Sequence, residues 1–204
     1  KWDLLAWDSS LMQITEVAYE VRDKATLIVG SEESPPGEGY PYDHFLPRLT
    51  AKPDMSARDL AFAIADDTLE AYSVASNVTQ SVLDTSKIEP VVAAVNGLGM
   101  ALLMATPQYR SAIAAARDLS EKYAYPQNSD LLDFVRLLQE PAIPGNASPR
   151  VPEEGVQSAC AQVTTAVRAA VLKNVRGQRH PNSNGLAIFL PSPAGYRQTD
   201  IDQA

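Results

Sequence analysis

The stretch Leu4-Leu5-Ala6-Trp7-Asp8-Ser9-Ser10, followed by Ile14, Val17, Ala18 and Val21 and then by Ala25-Thr26-Leu27-Ile28-Val29-Gly30, decides the fold. A short, continuous apolar run marks a strand buried on both faces. Asp8, Ser9 and Ser10 close the first run, and any of them can cap a helix. Ile14, Val17, Ala18 and Val21 then repeat at helical spacing before the second apolar run. Two such strands flanking a helix of about three turns spell a parallel βαβ crossover, hence an α/β fold.

Outward from this unit, Ser31 to Tyr42 form a turn-rich acidic loop with Pro35, Pro36, Gly37 and Gly39. Loops at the carboxyl end of a parallel strand are where α/β proteins place binding sites. Ser56 with Asp59 three residues on reads as a capping box, and Leu60, Ile64, Leu69 and Tyr72 continue a helix. Thr79 to Leu83 reads as a short strand. Helices are expected over 87–104, 107–123 and 129–139, a Pro-rich connector over 141–152, a further helix over 153–175, and a closing strand from Leu186 to Leu190 before Pro191. The expected organisation is a βαβ core with its acidic loop at 1–50, a mainly helical region at 51–180, and a late core strand with the tail at 181–204.

Composition narrows the function. The 204 residues carry 17 Lys plus Arg against 25 Asp plus Glu, a formal charge of −8. With the basic residues scattered, this argues against nucleic acid or an anionic membrane as partner. One cysteine excludes a disulfide framework and a thiolate-rich metal site, and His44 and His180 are far apart with no carboxylate at ligand spacing. The longest apolar stretch, Val91 to Ala105, is shorter than the about 20 residues needed to cross a bilayer. The chain opens on Lys1 and Trp2 without a Met and reads as a mature or excised piece.

The corner at Asp8-Ser9-Ser10-Leu11-Met12 stands where a strand end meets a helix start, so a nucleophile there would profit from free backbone N–H groups. Trp2 to Met12, then Glu16-Val17-Ala18-Tyr19-Glu20, Ser31-Glu32-Glu33, Pro36-Gly37-Glu38-Gly39-Tyr40 and the late Asn182-Ser183-Asn184-Gly185-Leu186-Ala187-Ile188-Phe189-Leu190-Pro191 resemble the clostripain family of cysteine peptidases, within the caspase-like clan. The family's corner reads Asp-Ala-Cys-Leu-Met. The resemblance implies a caspase-like α/β/α sandwich with a mainly parallel sheet, whose N-terminal strands this chain lacks, and a helical subdomain.

It also implies endopeptidase activity after Arg or Lys on a polypeptide substrate. Ser10 aligns with the nucleophilic cysteine, and the catalytic histidine lies in an upstream half that this chain does not contain. A thiol ionises at about pH 8.5 and is readily pulled lower, whereas a serine hydroxyl needs a well-aligned, carboxylate-oriented histidine. Ser10 is therefore expected to lower turnover by several orders of magnitude. An engineered Cys→Ser, a natural pseudo-peptidase that binds basic segments, and an oxygen-nucleophile hydrolase all fit the sequence.

The resemblance places Asp8 and Glu38 in the pocket for the basic side chain, with Ser31 and Glu32 at its border. Glu32 or Glu33 is also a candidate for calcium, on which some relatives depend; no other cofactor is expected. Glu38, where the family commonly has Asp, reaches one methylene further. An exported bacterial protein is expected, and the open sheet edge is expected to make the chain aggregate or require its upstream half. Cys160, on the stripe Val156, Cys160, Val163 and Val167, reads as core. His44 and His180 read as surface or connector residues, and Tyr40, Tyr42 and Phe45 as a groove wall or local packing. Asn77-Val78-Thr79 and Asn146-Ala147-Ser148 are glycosylation sequons by pattern.

Overall fold

The computed structural model describes residues 1–73, 76–140 and 149–193. Residues 141–148 of the expected connector, the sequon at Asn146 and the tail from 194 lie outside the described residues. The opening unit keeps the strand–helix–strand order and parallel pairing read from sequence, with β1 (Trp2–Ala6), α1 (Thr15–Val21) and β2 (Ala25–Gly30) and Leu4 beside Leu27. However, α1 has only 7 residues, about two turns, and β1 is an edge strand with no buried residue instead of a strand buried on both faces. After it come α2 (Tyr42–Ala51), α3 (Ala57–Tyr72), β3 (Thr79–Asp84), a short 3-10 turn, α4 (Ile88–Leu119), β4 (Asn128–Asp130), α5 (Leu131–Gln139), α6 (Glu154–Ala170), β5 (Val171–Arg176) and β6 (Ala187–Phe189).

The main sheet has the order β1-β2-β3-β5. Strand β3 runs antiparallel to both neighbours, so β1, β2 and β5 share one direction and β3 opposes them. Strand β1 forms one edge, and β4 and β6 make a separate two-stranded ribbon. Alternation along the strands splits the core. Leu27, Val29 and Val82 face Phe45, Ala61 and Ile64 of α2 and α3. Ile28 and Leu83 face α1, α4, α5 and α6 through Ala18, Val91, Leu138 and Val163. Helices thus cover both faces, a three-layer α/β/α arrangement. Each fully buried Leu, Ile, Val or Phe in these layers stabilises the fold by about 1.5–3 kcal/mol.

Several elements differ from the expectation. The helix at 153–175 ends at Ala170, because Val171 turns to extended backbone and β5 docks along β3. Strands β3 and β5 therefore bring the 51–180 region into the main sheet. Residues 128–130 are strand, and Asp130 caps α5 by accepting the Asp133 N–H at 2.7 Å. The two helices at 87–104 and 107–123 are one helix, bent where Pro107 lacks an N–H and Tyr109 leaves helical backbone (φ −116°, ψ 19°). It ends at Leu119 and is long and apolar enough to cross a membrane by length and composition alone. Its Ile88, Val91, Ala94 and Leu98 nevertheless belong to the core, while Met100, Leu103 and Met104 are exposed. The Ser56 capping box holds: Ser56 Oγ accepts the Asp59 N–H at 3.1 Å and donates to Asp59 Oδ2 at 2.8 Å.

Candidate active site

The segment after β1 does not enter a helix directly. Helix α1 starts at Thr15, with Ile14 at its N-cap and no side-chain cap. Residues 8–10 therefore do not cap it, a correction to the sequence reading. Residues 11–13 instead run beside the start of the acidic loop, Leu11 N–H bonding Glu33 O at 3.4 Å and Gln13 N–H bonding Ser31 O at 3.1 Å. The buried Gln13 amide donates to Ser81 O and Oγ at 2.9 and 2.8 Å, and Thr15 Oγ1 donates to Ala187 O at 2.8 Å. These bonds hold the segment in place. Leu11 adopts a positive φ of 63°, a costly conformation for a side chain of its size.

Ser10 is exposed, and its Oγ lies 2.8 Å from Ser34 Oγ. That neutral hydroxyl is its hydrogen-bond partner among the described residues; no described carboxylate or imidazole reaches it. His44, on the first turn of α2, is partly exposed and 3.9 Å from Asp43.

Asp8 sits two residues before Ser10 and meets the loop that follows β2. Its Oδ1 accepts the Tyr40 N–H at 3.0 Å and its Oδ2 accepts the Tyr42 hydroxyl at 2.9 Å. Gly39 permits this approach: its φ is +75°, and a Cβ there would stand 2.7 Å from Asp8 Oδ2. Tyr72 of α3 donates to Gly39 O at 2.5 Å. Burial first, then the charges of Glu38 and Asp8, push the Tyr72 phenol up, so both acids bear on one spot. Glu38 is exposed at the loop tip. The structure thus brings Asp8, Ser10 and the Glu38 loop to one end of the sheet.

Ser31 and Glu32 are elsewhere. Both are buried, at 0% and 1% exposure, and their side chains bond inside the fold instead of bordering a surface pocket. Thr79 Oγ1 shares a hydrogen bond with Ser31 Oγ at 3.0 Å and accepts the N–H groups of Glu32 and Glu33, each at 3.1 Å. The Thr of the sequon at Asn77 is therefore an internal tie. Glu32 Oε2 accepts from the Ser183 hydroxyl and from Gly185 N–H at 3.1 Å. Gly185 has a φ of +93°, and a Cβ there would meet Ser81 Cβ at 2.8 Å. Burial first, then the Asp130 charge, push the Glu32 carboxyl well above the usual range. Burial also raises Asp130, against bonds from Asn184 and Asp133. Glu32 Oε1 has no hydrogen-bond partner among the described residues.

His180 is buried, not an exposed connector. Its Nδ1 lies 3.0 Å from Glu121 Oε1 and its Nε2 3.2 Å from Glu33 Oε2, with the Tyr123 ring 5.3 Å away. Bonds to Glu121 and then Glu33 outweigh burial and push the imidazolium up to about 9. For Glu33 burial acts upward, but His180 and the N–H groups of Ser34 and Ala124 leave it below the usual range. The histidine is charged at neutral pH and ties the 177–185 loop to the acidic loop next to Ser34.

Glu32 and Glu33, the acids considered for calcium, aim their bonded oxygens at protein donors, and among the described residues no cluster of three His, Cys, Asp or Glu is arranged to hold a metal. A groove of about 740 Å³ between α4 and α6, lined by Lys87, Pro90, Ala93, Ala94 and Ala161 among others, offers no carboxylate and holds none of the residues above. Sequence reading missed the roles of Tyr42, Tyr72, Ser34 and Thr79. Only the aromatic spacing of Tyr40, Tyr42 and Phe45 gave a signal.

The model of the clostripain family, peptidase C11, matches residues 1–177. No curated protein matches the chain. Among solved structures, the chain is similar to an inactive zymogen C11 protease from Parabacteroides distasonis, with TM-score 0.68 and 17% identity over 100% of this chain and 56% of that one. It is also similar to a B. fragilis cysteine protease, with TM-score 0.64 and 16% identity over 100% of this chain and 84% of that one. A secreted C11 cysteine protease from Bacteroides thetaiotaomicron, in complex with an irreversible peptide inhibitor, gives TM-score 0.62 and 17% identity over 98% of this chain and 56% of that one. The chain spans little more than half the length of the first and third of these proteins.

Proposed function

The chain belongs to the clostripain family, and on that premise we propose that it is the nucleophile-bearing part of an endopeptidase that cuts after Arg or Lys, with Ser10 standing where the family has its attacking cysteine. The observation that carries this reading is the Asp8 carboxylate. It lies two residues before Ser10, holds its hydrogen bonds from two neutral donors, and enters no ion pair among the described residues. A carboxylate fixed beside a strand-end nucleophile is what a cationic side chain needs. Glu38 on the adjoining loop supplies the second negative charge.

An upstream half supplies the base in this reading. Strand β1 is an edge strand with Trp2 65% exposed, which suits pairing with a further strand. The Ser10 hydroxyl would attack the scissile carbonyl only after giving up its proton, and Ser34 cannot accept one as a base. Turnover is therefore strongly impaired. That same Ser10–Ser34 bond favours a second reading, a pseudo-peptidase that grips basic peptide segments without cutting them. The described secretion of one relative supports an exported bacterial protein.

Cleavage separates the two readings. A fluorogenic arginyl amide is presented to the chain combined with its upstream half, comparing the native form with Ser10→Cys. Cutting by the cysteine form alone supports an impaired peptidase. Binding of arginyl peptides with no cutting by either form supports the pseudo-peptidase. Neither cutting nor binding refutes both.

A further inference from the structure

We propose that Tyr42 is a positioning residue that sets the preference for Arg over Lys, by fixing the Asp8 carboxylate for two-point capture of a guanidinium; this rests on the pocket reading above. Asp8 is exposed, so packing does not hold its carboxylate, and the last torsion of an aspartate is intrinsically broad. What holds it is one donor on each oxygen: Tyr40 N–H on Oδ1 at 3.0 Å and Tyr42 O–H on Oδ2 at 2.9 Å. A carboxylate oxygen accepts about two hydrogen bonds, so each keeps one acceptor site. One free site on each oxygen of a fixed plane is the pattern that a guanidinium fork matches with two parallel bonds. An ammonium makes a point contact and gains little from a fixed plane.

Tyr42 is itself anchored. Its ring packs 5.4 Å from Phe45 and 6.3 Å from Tyr40, at the start of α2. Arg48 of that helix pairs at 2.8 Å with the buried Asp67 of α3, which ties the helix in place. The bond to Asp8, with burial second, also raises the Tyr42 phenol. A phenylalanine at 42 would keep the ring packing and lose only the contact with Asp8, so the hydroxyl can be tested apart from the fold.

The test is binding of agmatine and cadaverine to the chain combined with its upstream half, and to the same assembly carrying Tyr42→Phe, at pH 7 by calorimetry, with thermal melts of both proteins. The expected result is that the unmodified assembly binds agmatine more tightly. Tyr42→Phe should then weaken agmatine by about five- to tenfold and cadaverine by about twofold or less, with the melting temperature unchanged. An unchanged agmatine-to-cadaverine ratio, or an equal loss of both with a lowered melting temperature, overturns the assignment while leaving the pocket reading intact. No binding of either amine to the unmodified assembly refutes the pocket reading, and the role of Tyr42 falls with it. A measurement without substitution guards against a misfolded variant. Saturating agmatine should lower the Tyr42 phenol titration seen by NMR, because a guanidinium neutralises the Asp8 charge; no displacement under saturation contradicts the proposal.

Discussion

Replacing His180 with Gln removes a charge at the centre of the Glu33–His180–Glu121 bridge and leaves a polar side chain in its place. The imidazolium sits at about 9 in the fold against 6.5 unperturbed, which corresponds to about 3 kcal/mol of preferential stabilisation of the charged form. All three side chains are no more than 11% exposed, so solvent screening removes little of this. Because the folded value is raised, the contribution is complete below pH 6.5 and is lost as pH climbs through 9. Urea unfolding of the two proteins at pH 6, 7, 8, 9 and 10 reads it directly. The gap in unfolding free energy should be about 3 kcal/mol or more at pH 6 and should narrow by about 1.4 kcal/mol per pH unit between 7 and 9. At pH 10 only the residual loss of packing and hydrogen bonding should remain. A gap that stays flat from pH 6 to pH 10 refutes the charged bridge, since a purely steric defect does not titrate.

Three further outcomes follow from buried groups elsewhere in the fold. Glu32 is held above the usual carboxylate range, so the fold prefers the protonated acid, and that preference is full at low pH and fades as pH rises toward the raised value. Glu32→Gln should therefore gain in melting temperature relative to the native protein between pH 5 and pH 8; a relative loss over that interval contradicts the raised carboxyl. Thr79→Val removes the acceptor of the Glu32 N–H, while the Glu33 N–H keeps Ser31 Oγ at 3.1 Å, and should cost about 1–3 kcal/mol in urea unfolding, whereas a cost within about 0.5 kcal/mol would show that the Glu32 amide finds another partner. Cys160 is wholly buried and its thiol is pushed up to about 11 by burial, so iodoacetamide at pH 8 should alkylate the native protein only on the timescale of unfolding; prompt alkylation would remove Cys160 from the core.

Apolar runs made the order of the βαβ unit legible, because Leu27, Ile28 and Val29 form the continuous run of a buried strand, whereas the edge position of β1, with Leu4 and Leu5 half-buried, carried no signal in the sequence. The end of α6 was not legible either. Val156, Cys160, Val163 and Val167 continue in phase into Val171, with no Gly or Pro to stop them, and the stop comes from the bonding edge that β3 offers. Helix α2 was hidden by Pro41 and Pro47, which read as loop punctuation but stand at its N-cap and inside it. Asp8 and the Glu38 loop were legible because both lie close in sequence to the strand ends they decorate. The burial of His180 was not, since its partner Glu121 is 59 residues away and the pairing exists only once the 177–185 loop is folded back. Ser31 and Glu32 misled for a related reason: an acidic loop after a strand looks solvent-facing until Thr79 and Ser183 are known to lie behind it.

The central claim is that position 10 is the attack position of a pocket for basic side chains. The most direct measurement treats Ser10→Cys, combined with its upstream half, with a peptidyl-arginine acyloxymethyl ketone and maps the adduct by mass spectrometry. The account predicts labelling at position 10, suppressed by agmatine and by Asp8→Asn, with Cys160 untouched. Labelling at Cys160, or labelling at position 10 that is indifferent to both, would contradict it.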